Sequence, residues 1–394
     1  MVDDMEAVIL ERKTIRKIER RTHNNDLISD FLLQKSDNAM KYNAERYAGR
    51  AASIRDCGRN FYLDYYRLSS VKYVKGISTC RDRFCSNCQS NLAAKRQSKY
   101  EPIFRENESR YGFQNMHVVL TVPNCDQADL ESTIDRLFTA FAKLVKFFRC
   151  KKKIRGYDFN VWSFRGAVRG LEITKAADGK FHPHIHSVWS FGQFAEFGDP
   201  KYTNAYSFDR RYGRENRAFT YFEILLQKLW RLCFDGDRVT AKAIDNLDLG
   251  YSCTADQITE QGYSEVFKYT MKGCFSKHGD FLYEYKTFDI LDEVLYRRRV
   301  LQGYGCYFGM KFDDEIDDQL SFKECVVEEL NKLEDPVAEF ETIDEVYDHC
   351  EHIRYITPTK LFEFYNICNE KTDMRSMAHN FIGLLNTYVS VNYA

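Results

Sequence analysis

Proline is scarce in this chain, six residues in 394. Little of it can be Pro-rich linker, and with 44% apolar residues it reads as folded rather than disordered. Long hydrophobic runs are also missing. No segment approaches the ~20 apolar residues that span a bilayer. The apolar run within MVDDMEAVILERKTIRKIERRTHNND is too short for a signal peptide. The thirteen cysteines lack a secretion signal and are mostly unpatterned, which points to a reducing compartment. The expectation is a cytoplasmic protein with no membrane partner. No internal repeat is present, and the length allows two or three domains.

A net charge of either sign is absent too, the balance being −1. That figure hides an asymmetry. From Lys311 onward there are 7 Lys+Arg against 19 Asp+Glu, leaving 50 against 39 in residues 1–310. A body carrying +11 ahead of an acidic segment suggests that the body meets a polyanion.

Along the chain, four stretches differ in character. Residues 1–45 read as a charged, loosely attached basic arm with helical-period apolar positions such as Ile28, Phe31 and Leu32. Residues 46–110 carry a cysteine cluster followed by a basic helix, NLAAKRQSKYEPIFRE. Residues 111–310 alternate β-rich runs with amphipathic helices in the order strand, helix, strand, strand, helix, helix. That order predicts an α+β layer with helices packed on an antiparallel sheet. Residues 311–394 are acidic and helical in period, most clearly at VVEELNKLED and MAHNFIGLLNTYV.

The densest chemistry lies in GLEITKAADGKFHPHIHSVWSF, residues 170–191, which holds three of the nine histidines. Alternate residues of a strand share a face. His182, His184 and His186 therefore face one way, and Phe181, Ile185, Ser187 and Trp189 the other. Two imidazoles at i, i+2 suit one divalent transition-metal ion. Pro183 between them places the segment at an edge or a ladder gap. Glu172, an acid in an apolar run on the preceding strand, completes the set only if hairpin parity allows. A two-residue Asp178–Gly179 loop would pair it with Ile185. A three-residue loop, Ala177–Asp178–Gly179 with Gly179 left-handed, pairs it with His184 and is the expected form. Should Glu172 face away, His117 in MHVVLTVPN is the reserve ligand. His182 shares the metal face without being required there, and is expected to orient a ligand.

Two further groups stand out. Cys80, Cys85 and Cys88 form C-x4-C-x2-C with Cys57 upstream, a set suited to closed, tetrahedral, structural zinc. Arg81, Arg83, Lys95 and Arg96 beside it are expected to form a basic surface suited to the phosphates of a polyanion. In SEVFKYTMKG, Glu265, Tyr269 and Lys272 at i, i+4 and i+7 share one helical face. Alone this is an ordinary amphipathic helix. Beside a metal it acquires a meaning, because a phenol attacks a phosphate only when its target is polarised or its phenolate stabilised.

GLEIT and FHPHIH followed by EVFKYTMK resemble the signature of the HUH endonucleases. More narrowly, they resemble the rolling-circle plasmid replication initiator (Rep) family. LTVPN is similar to that family's first motif and TCRDRFCSNCQ to its cysteine region, so the resemblance runs from about residue 55 to 275. It implies a ferredoxin/RRM-like antiparallel sheet with packed helices. A small zinc-binding module would precede this core and an acidic helical segment follow it. It implies that His184 and His186, with Glu172, bind a catalytic Mn2+ or Mg2+, and it favours zinc at the four cysteines. Tyr269 would be the nucleophile that nicks one strand, keeps the 5′ phosphate and leaves a 3′ hydroxyl primer. Tyr263 is the nearest substitute. Lys272 would be the lysine of the tyrosine motif, and Glu265 would direct water at termination. Origin DNA, single-stranded or in a hairpin, is the implied substrate, with a host helicase and polymerase as partners. A relaxase or single-strand transposase shares the histidines and tyrosine. A non-catalytic, zinc-stabilised DNA-binding regulator would share only the scaffold. Ser86 stands where the family more often has proline.

Overall fold

The structure, a computed structural model, describes residues 12–58, 61–66, 71–77, 79–149, 153–176, 178–200, 218–267, 284–310 and 350–354. Two helices come first, α1 (Arg12–Asp37) and α2 (Lys41–Asp56), then strands β1 (Phe61–Tyr66) and β2 (Val71–Ile77) and helix α3 (Ser86–Tyr111). Next are β3 (Gln114–Thr121), α4 (Leu130–Arg149), the two-residue strands β4 (Lys153–Ile154) and β5 (Tyr157–Asp158), β6 (Gly166–Lys175) and β7 (Phe181–Phe191). The order continues with α5 (Tyr221–Asp235), α6 (Ala241–Asp245), β8 (Cys253–Gln257), α7 (Glu260–Phe267), α8 (Tyr285–Val294), β9 (Leu301–Gly305) and β10 (Cys350–Arg354). None of the described helices is long and apolar enough to cross a membrane.

The chain divides into two compact units. The first takes in the described residues up to Leu92 together with β10, the second those from Ala93 to Met310. In the first, α1 and α2 form a helical hairpin. Ile28 and Leu32 are fully buried, and the Ser29 hydroxyl donates to the Ala51 carbonyl. The apolar period read at Ile28 and Leu32 is thus a packing face, and α1 is tied down rather than loose. The β1 strand lies between β2 and β10, antiparallel to both. Of the segment expected to be acidic and helical, only Cys350–Arg354 is described, and it is a strand. VVEELNKLED and MAHNFIGLLNTYV lie outside the described residues.

The second unit is built on a five-stranded antiparallel sheet in the order β8-β3-β7-β6-β9. The α+β expectation holds here. Because strand residues alternate, each sheet face has its own residue set. One face presents Trp189, Ile185, Leu171 and Val118, all within the buried core. It is covered by α4 and α5, whose Leu137, Phe141, Leu144, Leu226 and Trp230 form the apolar stripe of two amphipathic helices. Phe141 and Phe148 meet Trp189 edge-on, and the Trp230 indole donates to the Thr121 carbonyl. A capping box of Thr220 and Glu223 starts α5, and left-handed Gly236 ends it.

On the opposite face, the described helices α3 and α7 cover one half. Tyr100 and Phe104 of α3, and Tyr263, Val266 and Phe267 of α7, pack on Val168, Val188 and Leu301. Beyond them on the same face, toward the far ends of β6 and β7, stand Glu172 and the histidines. Edge strands β8 and β9 were not legible in the sequence: CTADQ and LQGYG are short and poor in β-branched residues.

Candidate metal centres

The β6–β7 register pairs Glu172 with His184 and Gly170 with His186. This parity follows from the loop. Ala176 and Lys180 are joined by a backbone bond, leaving residues 177–179 between them, and Gly179 has φ +83°. A side chain would be strained at that angle, so glycine fixes the odd-length turn. One residue fewer would have turned Glu172 into the apolar core. The β3–β7 register places Thr121 opposite His184 and Val119 opposite His186.

One ligand atom each of Glu172, His184 and His186 lies within 4.8 Å of the others. Glu172 Oε2 is 3.0 Å from His186 Nε2 and 3.5 Å from His184 Nε2. All three side chains are largely buried, at 11–14% exposure. Burial pushes the Glu172 carboxyl up, but bonds from His184 and His186 outweigh it and hold the group well below the usual carboxylate range.

The donor set fits a cation. His184 Nδ1 lies 3.1 Å from the His182 carbonyl oxygen, which can only accept, so the ring proton sits on Nδ1. Nε2 is then the nitrogen turned toward the Glu172 carboxylate oxygen. Two electron-rich atoms in that position need a second proton or a metal ion between them. Imidazole nitrogen with carboxylate oxygen suits Mn2+ and, less strongly, Mg2+. His182 takes part through its backbone carbonyl. Its ring packs on that of His184, centroids 4.9 Å apart, and burial and then His184 push its pKa down to about 4.

His117 is no member of this triad. It reaches His186 from β3 on the side away from Glu172, Nε2 to Nδ1 3.1 Å. Helix α7 lies beside the pair. A Cβ on Gly262 would stand 3.5 Å from that of His117, and one on Gly170 would stand 2.6 Å from the carbonyl oxygen of Val266. Glu265 sits on this helix, half-buried. Tyr269 and Lys272 lie outside the described residues. Tyr263 is 1% exposed and hydrogen-bonded by the Asn115 amide, and burial pushes its phenol pKa well above normal. A buried, hard-to-ionise phenol is no substitute nucleophile.

In the first unit, Cys57, Cys80, Cys85 and Cys88 converge. Sulfur separations are 3.5 Å for Cys57–Cys88, 3.4 Å for Cys57–Cys85 and 3.7 Å for Cys80–Cys88. A ZnS4 tetrahedron with bonds of about 2.3 Å has edges of about 3.8 Å, so the cage has the right size. Its electrostatics agree. Hydrogen bonds from the other three cysteines pull the Cys88 thiol far down. The bond to Cys57 pushes Cys80 up, and burial pushes Cys85 up. Backbone N–H groups already point inward: Arg81, at φ +57°, donates to Cys88 Sγ and Asp82 donates to Cys80 Sγ.

Asn25 of α1 was missed in the sequence. Its amide donates to Cys85 Sγ at 3.3 Å, and its oxygen accepts from the Ser86 N–H at 3.0 Å. Proline at 86 would lack that N–H, so serine here has a structural consequence. Of the basic residues beside the cluster, Arg81 is exposed, Arg83 and Lys95 are half-buried, and Arg96 is buried, which removes it as a surface phosphate contact.

The matched segment begins at β2 and ends just past β7. Residues 71–197 match the family of replication proteins. The match covers about a third of the chain and supports the resemblance to rolling-circle replication initiators. It takes in Cys80, Cys85, Cys88, Glu172, His184 and His186, and leaves out Cys57 and α7. Comparison with curated proteins and with solved structures gives no match.

Proposed function

We propose that this chain is a rolling-circle replication initiator, an HUH-type enzyme that nicks one strand of origin DNA through Tyr269. The observation that carries the reading is the meeting of Glu172, His184 and His186 on one face of the sheet, with Val266 of α7 beside them. Val266 touches Gly170, the residue paired with His186. Tyr269 follows Val266 by three residues, so covalent geometry keeps its Cα within about 11 Å of that of Val266.

Glu172, His184 and His186 would hold a divalent ion, which when bound polarises the scissile phosphate and offsets charge developing on its oxygens. The Tyr269 oxygen forms a bond to phosphorus as the bond from phosphorus to the 3′ oxygen breaks. The phenol proton is released and the leaving 3′ oxygen gains one. One phosphodiester replaces another, so the energy of the cut link is retained and strand joining stays possible. Lys272 is suited to stabilise the phenolate, and Glu265 to take a proton from water when the phosphotyrosine is finally hydrolysed. The four cysteines would hold a structural zinc ion that orders the module ahead of this core.

The test is a denaturation-resistant adduct between purified protein and a single-stranded hairpin oligonucleotide carrying the replicon's own origin, with Mn2+ or Mg2+. Wild type should form it, and Tyr269→Phe should bind the oligonucleotide without forming it. An undiminished adduct in that variant would move the nucleophile elsewhere. Binding by wild type with no adduct under any metal would leave a non-catalytic regulator.

A further inference from the structure

We propose that His117 is a positioning residue for the metal centre: it accepts the Nδ1 proton of His186 and so fixes which nitrogen His186 offers to the ion. The inference rests on the reading that Glu172, His184 and His186 bind a divalent cation, and it adds a member of different role.

The geometry is that of an in-plane hydrogen bond rather than a ring stack. His117 Nε2 and His186 Nδ1 are 3.1 Å apart, while the ring centroids are 5.3 Å apart and the planes differ by 16°. Rings that are nearly parallel, with centroids far apart and two edge nitrogens close, lie edge to edge in almost one plane. An imidazole lone pair lies in that plane, so N–H···N alignment is good. His186 has Glu172 Oε2 3.0 Å from its other nitrogen. For Nε2 to give a lone pair to an ion held with Glu172, the ring proton must sit on Nδ1. Its partner, His117 Nε2, must then be the acceptor.

His184 and His186 are thus oriented by different means. The His182 carbonyl fixes His184 from within the same strand. His186 takes its acceptor from the neighbouring strand, where His117 lies diagonally across the ladder, opposite Val188. Histidine ligands are generally held through their second nitrogen, and losing such a partner typically costs ~10–100-fold in metal affinity. His117 also borders α7, where a Cβ on Gly262 would stand in ordinary contact with it. The helix that leads to the proposed nucleophile therefore packs on the residue that orients a ligand.

Two variants separate the hydrogen bond from packing. His117→Phe keeps a flat ring and removes the acceptor. His117→Gln removes the ring and restores an acceptor through its amide oxygen. Mn2+ affinity, followed by the loss of the free-ion EPR signal in a titration, should fall ~10–100-fold in His117→Phe. It should return to within a few-fold of wild type in His117→Gln, with unchanged circular dichroism. Wild-type affinity in His117→Phe, or equal weakness in both variants, would overturn the inference. His184→Ala runs alongside. If it binds Mn2+ as wild type does, the metal reading fails and this inference with it. If only His184→Ala loses binding, this inference fails alone. A measurement on wild type guards against variants that do not fold: 15N-histidine NMR with Mg2+ should show His186 as the Nδ1–H tautomer. The Nε2–H tautomer would sink the proposal.

Discussion

Gly170 lies directly beneath the carbonyl oxygen of Val266: a Cβ on the glycine would stand 2.6 Å from it. Contact with backbone leaves no flexible side-chain end to yield. Gly170→Ala must therefore move α7 off β6, at a cost of about 1–3 kcal/mol for overpacking. The metal ligands lie on strands and need not follow the helix. The expected result is Mn2+ affinity within a few-fold of wild type, with adduct formation reduced at least ~10-fold because reacting atoms misplaced by an ångström lose rate steeply. Equal loss of both would show that the helix shapes the metal site itself.

The three converging acceptors make a second prediction. An ion that binds the folded state alone stabilises it, by about 2.7 kcal/mol at a hundred times its dissociation constant. For a unit of this size that is a rise of roughly 5–10 °C in melting temperature. Excess Mn2+ should produce such a rise and EDTA should reverse it. Glu172→Ala and His184→Ala should each remove most of it. An equal rise in both variants would place the ion elsewhere.

The four-cysteine cage predicts one zinc ion per chain by elemental analysis. Cys57→Ser should lose it, because Cys57 Sγ lies within 3.5 Å of both Cys85 Sγ and Cys88 Sγ. Asn25→Ala should keep it but yield it to a chelator at ~10–100-fold lower concentration, since an N–H···S bond to Cys85 is gone. Full zinc content in Cys57→Ser would show that the remote cysteine is not a ligand.

What could be read in the sequence was local. His184, His186 and Glu172 lie within fifteen residues of one another, and an odd-length loop was enough to bring them together by pleat parity, where a two-residue Asp178–Gly179 turn would have parted them. The C-x4-C-x2-C spacing and the stripe of α4 were legible for the same reason. Contacts made by distant strands and helices were not. His117 meets His186 through a ladder sixty-nine positions apart, and Asn25 meets Cys85 at a separation of sixty. In the sequence, Asn25 is one more polar residue of a charged helix. Ile28 and Leu32 showed their period but not α2, against which they pack. His117 offered one signal, its place on a strand two residues before Val119. That signal needed a register no single sequence supplies.

Tyr263 and Tyr269 are separated by six residues, and the difference between them is the last thing the fold predicts. Tyr263 is enclosed by Phe104, its ring centroid 5.5 Å away, and its hydroxyl accepts from the Asn115 amide. Asn115 also accepts from Ser190, whose hydroxyl pairs with that of Tyr307 at 2.7 Å. The group belongs to a buried polar network beneath α3 and α7. Tyr263→Phe removes one hydrogen bond and leaves the ring in place, at a cost of about 0.5–1.5 kcal/mol. The protein should melt a few degrees lower and form the DNA adduct as wild type does. Tyr269→Phe should do the reverse, melting normally and forming none. Loss of the adduct in Tyr263→Phe, at a temperature where that variant is folded and binds Mn2+, would assign the chemistry to the network and not to Tyr269.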